Sequence, residues 1–285
     1  MSPAVKYGIS VFEGVRAYWN EEREQLYVFR MREHTDRLFQ SMKLLRFKPT
    51  FGKDEIDRLS LELLRRNEIR SNAALRVAAY IDGMAEQEAR EPVSYAIAAL
   101  ERSRQTGVAE KGIRCQVSAW SRIDDTSMPP RIKTGANYIN NSTARLQAAH
   151  DGYDDAILLN RAGKVAEATA TSIFFLRRGR LVTPHLTSSV VESITRDTML
   201  QLAADAGMEV EEREVEKTEL YSADEIFLVG SAAEVKPVID IDGFVIGTGE
   251  PGPVTRKMQT AYFETVSGKR ADNRGWLTSV YTAST

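Results

Sequence analysis

A mixed α/β protein, with helices and strands combined in α+β fashion on two sheets, is the expectation from three observations. Strand-like and helix-like runs are interleaved along the chain without a strict alternating repeat. Near the middle, SRIDDTSMPPR breaks the pattern, and its paired prolines (Pro129, Pro130) can continue neither a helix nor a sheet interior. At 285 residues the chain is long enough for two domains of ordinary size. The expected division is a small α/β domain over residues 1–121, a connecting loop over 122–134, and a larger domain over 135–285.

Taken in order, QLYVF reads as a strand. From Arg32 to Leu45, apolar Leu38, Met42 and Leu45 recur at helical spacing, and a second helix covers about Asp54 to Asn67. Three strand-like runs follow: AALRVAAYI, VSYAIAAL and IRCQVSAW. Beyond the proline loop, NYINNSTARLQAAHDG reads as a helix ending at Gly152. DAILLN and KVAEA, joined at RAGK, form one expected hairpin, and SIFFLRRGRLVTP another. SITRDTMLQLAADAG is a helix with Ser193 as N-cap and Gly207 as its stop. EIFLVG and EVKPVIDIDG are strands, and GPVTRKMQTAYFETVSG is a last helix with Pro253 in its first turn.

Composition excludes several classes. Lys plus Arg (38) nearly balances Asp plus Glu (40), and a net charge of -2 gives no electrostatic reason for a nucleic acid or anionic membrane partner. The single cysteine, Cys115, cannot form an internal disulfide and lies in an alternating stretch, which makes it a buried filler before a reactive thiol. No run approaches the ~20 apolar residues that span a bilayer, and the N-terminus lacks a basic segment followed by an apolar one, so a cytoplasmic location is expected. His34, His150 and His185 are isolated, without ligand spacing; they read as surface or capping residues, and no metal is expected.

Four features bear on chemistry. Lys133, in PPRIKTGANY, follows the proline loop, and Gly135 and Asn137 permit a tight backbone around it. A lysine becomes an imine-forming nucleophile only where its surroundings hold it against a carbonyl, and most lysines are solvated surface residues. Glu167 lies in the small, apolar stretch KVAEATATSIFF. A carboxylate there needs a cationic or hydrogen-bonding partner, unless it is a hairpin-edge residue facing water. The run ESITRDTML opens a helix at Ser193, Ile194 and Thr195, and a helix start presents amides and a positive dipole end to an anion. Arg37 would add a bidentate contact to the same anion, or else is an ordinary polar-face arginine. Finally, small residues in VGSAAEV let a ligand approach the backbone, or simply connect two strands.

In this order, YGISVFEGVRAY, FRMREHTDRL, IKTGANY, GYDDAILLN, GKVAEATATSIFF, LVTP, SITRD, LYSADEIFLVGSAAEVKPV and GEPGPVTRKMQ span nearly the whole chain. Jointly they resemble the branched-chain aminotransferases among the fold-type IV pyridoxal-phosphate enzymes. The resemblance implies two domains with pyridoxal 5'-phosphate between them, the larger one binding the cofactor. The smaller is expected to start short of the family's usual early strands. It implies that Lys133 is the Schiff-base lysine and general base, that Tyr138 bonds the cofactor's phenolic oxygen, and that Glu167 pairs with the pyridine nitrogen. Arg37, Ser193, Ile194, Thr195 and Ser231 would hold the phosphate. Tyr7, Phe12, Gly14, Arg16, Arg76, Ser231 and Ala232 would face the substrate. Where family members carry glycine-rich residues ending in an acid and an asparagine, this chain has Ala168, Thr169, Ala170, Thr171 and Ser172, and Ser193 replaces a glycine. The implied reaction moves an amino group from a branched-chain or similar hydrophobic L-amino acid to 2-oxoglutarate by a ping-pong mechanism, in a homodimer. On sequence grounds D-amino-acid and (R)-amine aminotransferases, an aminodeoxychorismate-type lyase and a non-catalytic relative stay open.

Overall fold

The computed structural model describes residues 1–281. The chain runs α1 (Pro3–Tyr7), β1 (Ser10–Asn20), β2 (Gln25–Phe29), α2 (Met31–Leu44), α3 (Lys53–Arg66), β3 (Ala73–Ile81), β4 (Val93–Glu101) and α4 (Thr106–Lys111). It continues through β5 (Ile113–Val117), α5 (Asn137–His150), β6 (Asp155–Leu159), β7 (Val165–Ala168), β8 (Ser172–Arg177), β9 (Arg180–Pro184) and α6 (Ile194–Asp205). Last come β10 (Val210–Arg213), α7 (Lys217–Tyr221), β11 (Glu225–Gly230), β12 (Glu234–Ile241), β13 (Phe244–Val245), α8 (Pro253–Val266) and β14 (Leu277–Ser279). It is thus a mixed α/β protein, and no helix among the described residues is long and apolar enough to cross a membrane.

The chain divides into two compact units. The first holds Met1–Arg104, Ile132–Ala136 and the residues from Phe263 onward; the second holds Gln105–Arg131 and Asn137–Tyr262.

The first unit is a five-stranded antiparallel sheet in the order β14-β2-β1-β3-β4. β3 alternates as a half-buried strand should, with Ala73, Leu75, Val77, Ala79 and Ile81 turned inward. In α2 the buried positions Met31, His34, Thr35, Leu38, Ser41 and Met42 follow three-and-four spacing, and in α3 Ile56, Ser60 and Leu64 do the same. One cluster joins Val11, Val77, Ala79 and Ile81 of the sheet to Leu38 and Met42 of α2. The longest strand of this sheet, β1, has no clean alternation to announce it. Its burial runs over both faces because Arg16 and Tyr18 are buried opposite Val15 and Ala17, and a charge, Glu13, stands on the inward face between Val11 and Val15.

The second unit is a mixed nine-stranded sheet in the order β10-β9-β8-β11-β12-β5-β6-β7, with β13 on β12. β9 with β10, β12 with β5 and β5 with β6 run parallel; the remaining neighbours are antiparallel. β11 is buried at every position, as in a sheet covered on both faces. Its Phe227 pairs directly with Phe174 of β8, the rings stacked 5.4 Å apart. Cys115 packs fully buried among Ile113, Ile157, Phe175 and Ile226, and burial pushes its thiol pKa up, which makes it core filler rather than nucleophile.

Candidate active site

Each unit carries its own set of candidate side chains. In the first, β3 occupies one edge of β1 from Ser10 to Ala17, whereas β2 reaches only Ala17–Asn20 on the other. The segment 132–134 fills the edge that β2 leaves open. Val11 bridges Thr134, and the Phe12 amide donates to the Lys133 carbonyl at 3.0 Å. The Lys133 amide in turn donates to Ser41 Oγ on α2 at 3.1 Å, and Ser41 is completely buried. The lysine backbone is therefore held by a strand on one side and a helix on the other. Its ammonium lies 5.2 Å from the centre of the Phe12 ring, cation–π distance.

Side chains alternate along β1. Phe12, Gly14 and Arg16 share one face. Gly14 pairs with Arg76 of β3, whose guanidinium stands 5.1 Å over the Phe12 ring. A Cβ at Gly14 would come to 3.5 Å from Arg76 Nη1, ordinary contact distance, so that cation lies directly over the glycine. Arg16 is buried, stacks 5.3 Å over Tyr18 and donates from Nη2 to the Arg102 carbonyl at 2.9 Å. Tyr7, at the end of α1, is 40% exposed.

Glu13 takes the opposite face and meets α2. Arg37 donates to it in a fork, Nε to Oε1 at 2.7 Å and Nη2 to Oε2 at 2.8 Å, while His34 Nδ1 lies 2.7 Å from Oε2. Burial opposes the Glu13 charge, but Arg37 and His34 outweigh it and hold the carboxyl well below the usual carboxylate range. For His34 burial wins over the attraction of Glu13, so its pKa is lowered and the ring stays neutral. The expectation that all three histidines are surface or capping residues therefore fails at His34. His150 and His185 are exposed, as expected. Glu13 and Ser41 escaped sequence reasoning, although His34 and Ser41 fall on the apolar stripe of α2, where polar side chains need a reason.

In the second unit Glu167 sits on β7, every residue of which is buried. It is not a water-facing hairpin residue. Arg122 Nη2 reaches Oε1 at 2.8 Å, and the Val191 amide donates to Oε2 at 3.2 Å. Arg122, at the start of the proline loop, was not singled out from sequence. It also donates from Nη1 to Asn141 Oδ1 on α5 at 2.6 Å, and Asn141 donates to the Thr169 carbonyl. Thr169 Oγ1 donates to Asp155, which anchors the end of β7. Tyr138, half-buried, is the second residue of α5.

Val191 leads into α6. Ser193 caps this helix, its Oγ accepting from the Arg196 amide at 3.1 Å, and Ile194 and Thr195 are buried in its first turn. The first turn of a helix turns its amides and positive dipole end outward, which suits an anion. The strand carrying Glu167 ends in a tight turn in which the Ala168 amide donates to the Thr171 carbonyl at 2.9 Å. This turn lies against Gly230, where a Cβ would come to 3.1 Å from both the Ala170 carbonyl and Thr171 Cγ2. Ser231 and the exposed Ala232 follow in a turn closed by the Ala233 amide on the Gly230 carbonyl at 3.1 Å. Glu167, the start of α6 and the 230–233 turn are thus contiguous through Val191 and Thr171.

Three comparisons bear on what this arrangement is. The family model for amino-transferase class IV matches residues 10–241. A probable branched-chain-amino-acid aminotransferase of Aquifex aeolicus is 41% identical over 283 residues, 99% of this chain and 91% of the relative. The crystal structure of the branched-chain aminotransferase of Thermoproteus uzoniensis with norvaline superposes at a TM-score of 0.93 and 39% identity, covering 98% of this chain and 93% of the other. A branched-chain amino acid aminotransferase from T.th., complexed with N-(5'-phosphopyridoxyl)-L-glutamate, does so at 0.93 and 37%, covering 98% and 92%. The chain belongs to the class IV aminotransferases, in the branched-chain aminotransferase family, and its fold is fold-type IV.

Proposed function

We propose that this aminotransferase uses pyridoxal 5'-phosphate to move the amino group of a branched-chain or similar hydrophobic L-amino acid to 2-oxoglutarate, with ping-pong kinetics. One observation carries the reading: Lys133 is clamped by its backbone amide and carbonyl between α2 and β1, which fixes the point from which its amine reaches.

The donor set fits the cofactor. Thr171 Oγ1 and Arg122 Nε are buried with no hydrogen-bond partner among the described residues. They lie on the turn beside Gly230 and on the partner of Glu167, where polar groups of a ligand would satisfy them. When bound, the cofactor supplies an aldehyde with which amines condense reversibly and a pyridinium ring that delocalises the electrons left by a departing α-proton.

Lys133 would hold the cofactor through its amine and, when that amine is free, would carry the proton from the substrate α-carbon. Glu167, fixed in place by Arg122 and the Val191 amide, would pair with the ring nitrogen. Tyr138 donates to the phenolic oxygen. Arg37, the first turn of α6 from Ser193 through Thr195, and Ser231 hold the phosphate. Phe12 offers the substrate an apolar wall, with Tyr7, Gly14 and Arg16 from the same segment. Arg76 and the Ser231–Ala232 amides take its carboxylate. Because one site serves both half-reactions, the first oxo acid leaves before the second enters. The norvaline in one related structure supports a hydrophobic donor, and the phosphopyridoxyl-glutamate in the other supports a glutamate-derived acceptor. A homodimer in the cytoplasm completes the proposal.

The test is the absorption spectrum of protein saturated with pyridoxal phosphate, wild type beside Lys133→Ala, before and after L-leucine. A visible imine band present only in the wild type and bleached by L-leucine is expected. A band that Lys133→Ala retains would overturn the lysine assignment. One that L-leucine leaves unmoved while a D-amino acid or 1-phenylethylamine bleaches it would overturn the donor assignment.

A further inference from the structure

We infer that Glu13 is a positioning residue, which fixes the guanidinium of Arg37 for the phosphate; this rests on the proposal that Arg37 holds the cofactor phosphate. Glu13 itself is 1% exposed and lies under α2, remote from solvent.

The geometry explains why a carboxylate stands there. His34, Arg37 and Ser41 lie on α2 at spacings of three and four, and so form one stripe on the helix. Glu13 grips the first two of them, and Ser41, the third, holds the Lys133 amide. Turning α2 about its axis would break the Arg37 fork and move Ser41 away from Lys133 together. The surroundings are apolar: Val11, Leu38 and Met42 pack in the same cluster. Apolar side chains of similar volume would join helix to sheet as well as a buried ion pair does, often better. What they lack is direction. A bidentate carboxylate sets the plane of a guanidinium. With Nε on Oε1 and Nη2 on Oε2, Glu13 fixes both the plane and the heading of the Arg37 guanidinium.

The experiment compares the dissociation constants of pyridoxal phosphate and of pyridoxal, which lacks the phosphate, for wild type, Glu13→Gln, Arg37→Lys and the double variant. Thermal melting accompanies each as a folding control. Glu13→Gln is expected to weaken pyridoxal phosphate by about 10- to 100-fold, the usual effect of losing a residue that orients a ligand-binding group. Pyridoxal affinity is expected to hold within about 3-fold, and the double variant to be no worse than Arg37→Lys alone. Should Glu13→Gln fail to fold, Glu13→Asp, which keeps the charge and shortens its reach, is expected to show the same phosphate-selective loss. Equal loss of both aldehydes would make Glu13 structural only and overturn the inference. If Arg37→Lys loses phosphate affinity and neither Glu13 variant does, the inference falls and the Arg37 reading survives. If Arg37→Lys binds both aldehydes as wild type does, the Arg37 reading falls first and takes the inference with it.

Discussion

Arg122 shows how much one side chain organises. Its guanidinium ties Glu167 on β7 to Asn141 on α5, and its backbone amide donates to the Leu159 carbonyl at 2.8 Å. Both members of the pair are nearly inaccessible, with 2% and 4% side-chain exposure. Removing one partner of such a pair strands the other charge in a poor dielectric. Arg122→Met is therefore expected to destabilise the protein by about 3–5 kcal/mol, read from urea unfolding without added cofactor. A change below about 1 kcal/mol would mean that water reaches Glu167 and that its charge has no need of Arg122.

Helix α6 meets its neighbours at the N-terminus. Ser193 supplies the cap that the first turn lacks, and Arg196 then reaches back to the Pro184 carbonyl at 2.9 Å and to Glu212 at 2.6 Å. Ser193→Ala removes one accepted hydrogen bond and is expected to lower stability by about 1 kcal/mol, again by urea unfolding. An unchanged midpoint would show that the Arg196 contacts alone hold the turn. The same element was legible in sequence, because a capping serine, an apolar period and a terminal glycine coincide there. β1 was not. Its alternation is broken by Glu13 and Arg16, and only the partners on α2 and at Arg102 make inward-facing charges tolerable.

Across the whole molecule, buried titrating groups set the response to acid. Burial lowers the pKa of His34 from its ordinary 6.5. The unfolded chain therefore takes up that proton first as pH falls, and stability declines below about 6.5. Glu13 is held ionised in the folded protein, so its contribution is present above its ordinary 4.5 and lost as pH falls further. Glu219, bonded by Arg213 and by Arg177, is held at about 2 and adds loss in the same direction. The expected outcome is a melting temperature that falls in two stages, first below about pH 6.5 and more steeply below about 4.5. In Glu13→Gln the second stage should shrink. A melting temperature flat from pH 7 to 4 would contradict the burial of His34 and Glu13.

By itself the sequence determined the mixed α/β class and most of the helices and strands, and, through motifs in family order, it supports the proposal of Lys133, Tyr138, Glu167 and Arg37 as cofactor residues. Those signals are local, carried by periodicity, caps, turns and short strings. Tertiary structure alone decided what these side chains touch. Glu13 and Arg37 are 24 residues apart and Arg122 and Glu167 lie far apart in sequence, yet each pair is one buried unit. Ser41 meets Lys133 across a separation of 92 residues. A buried charge is stable only beside its counter-charge, and chain folding chooses that neighbour without leaving a mark in either residue's local sequence.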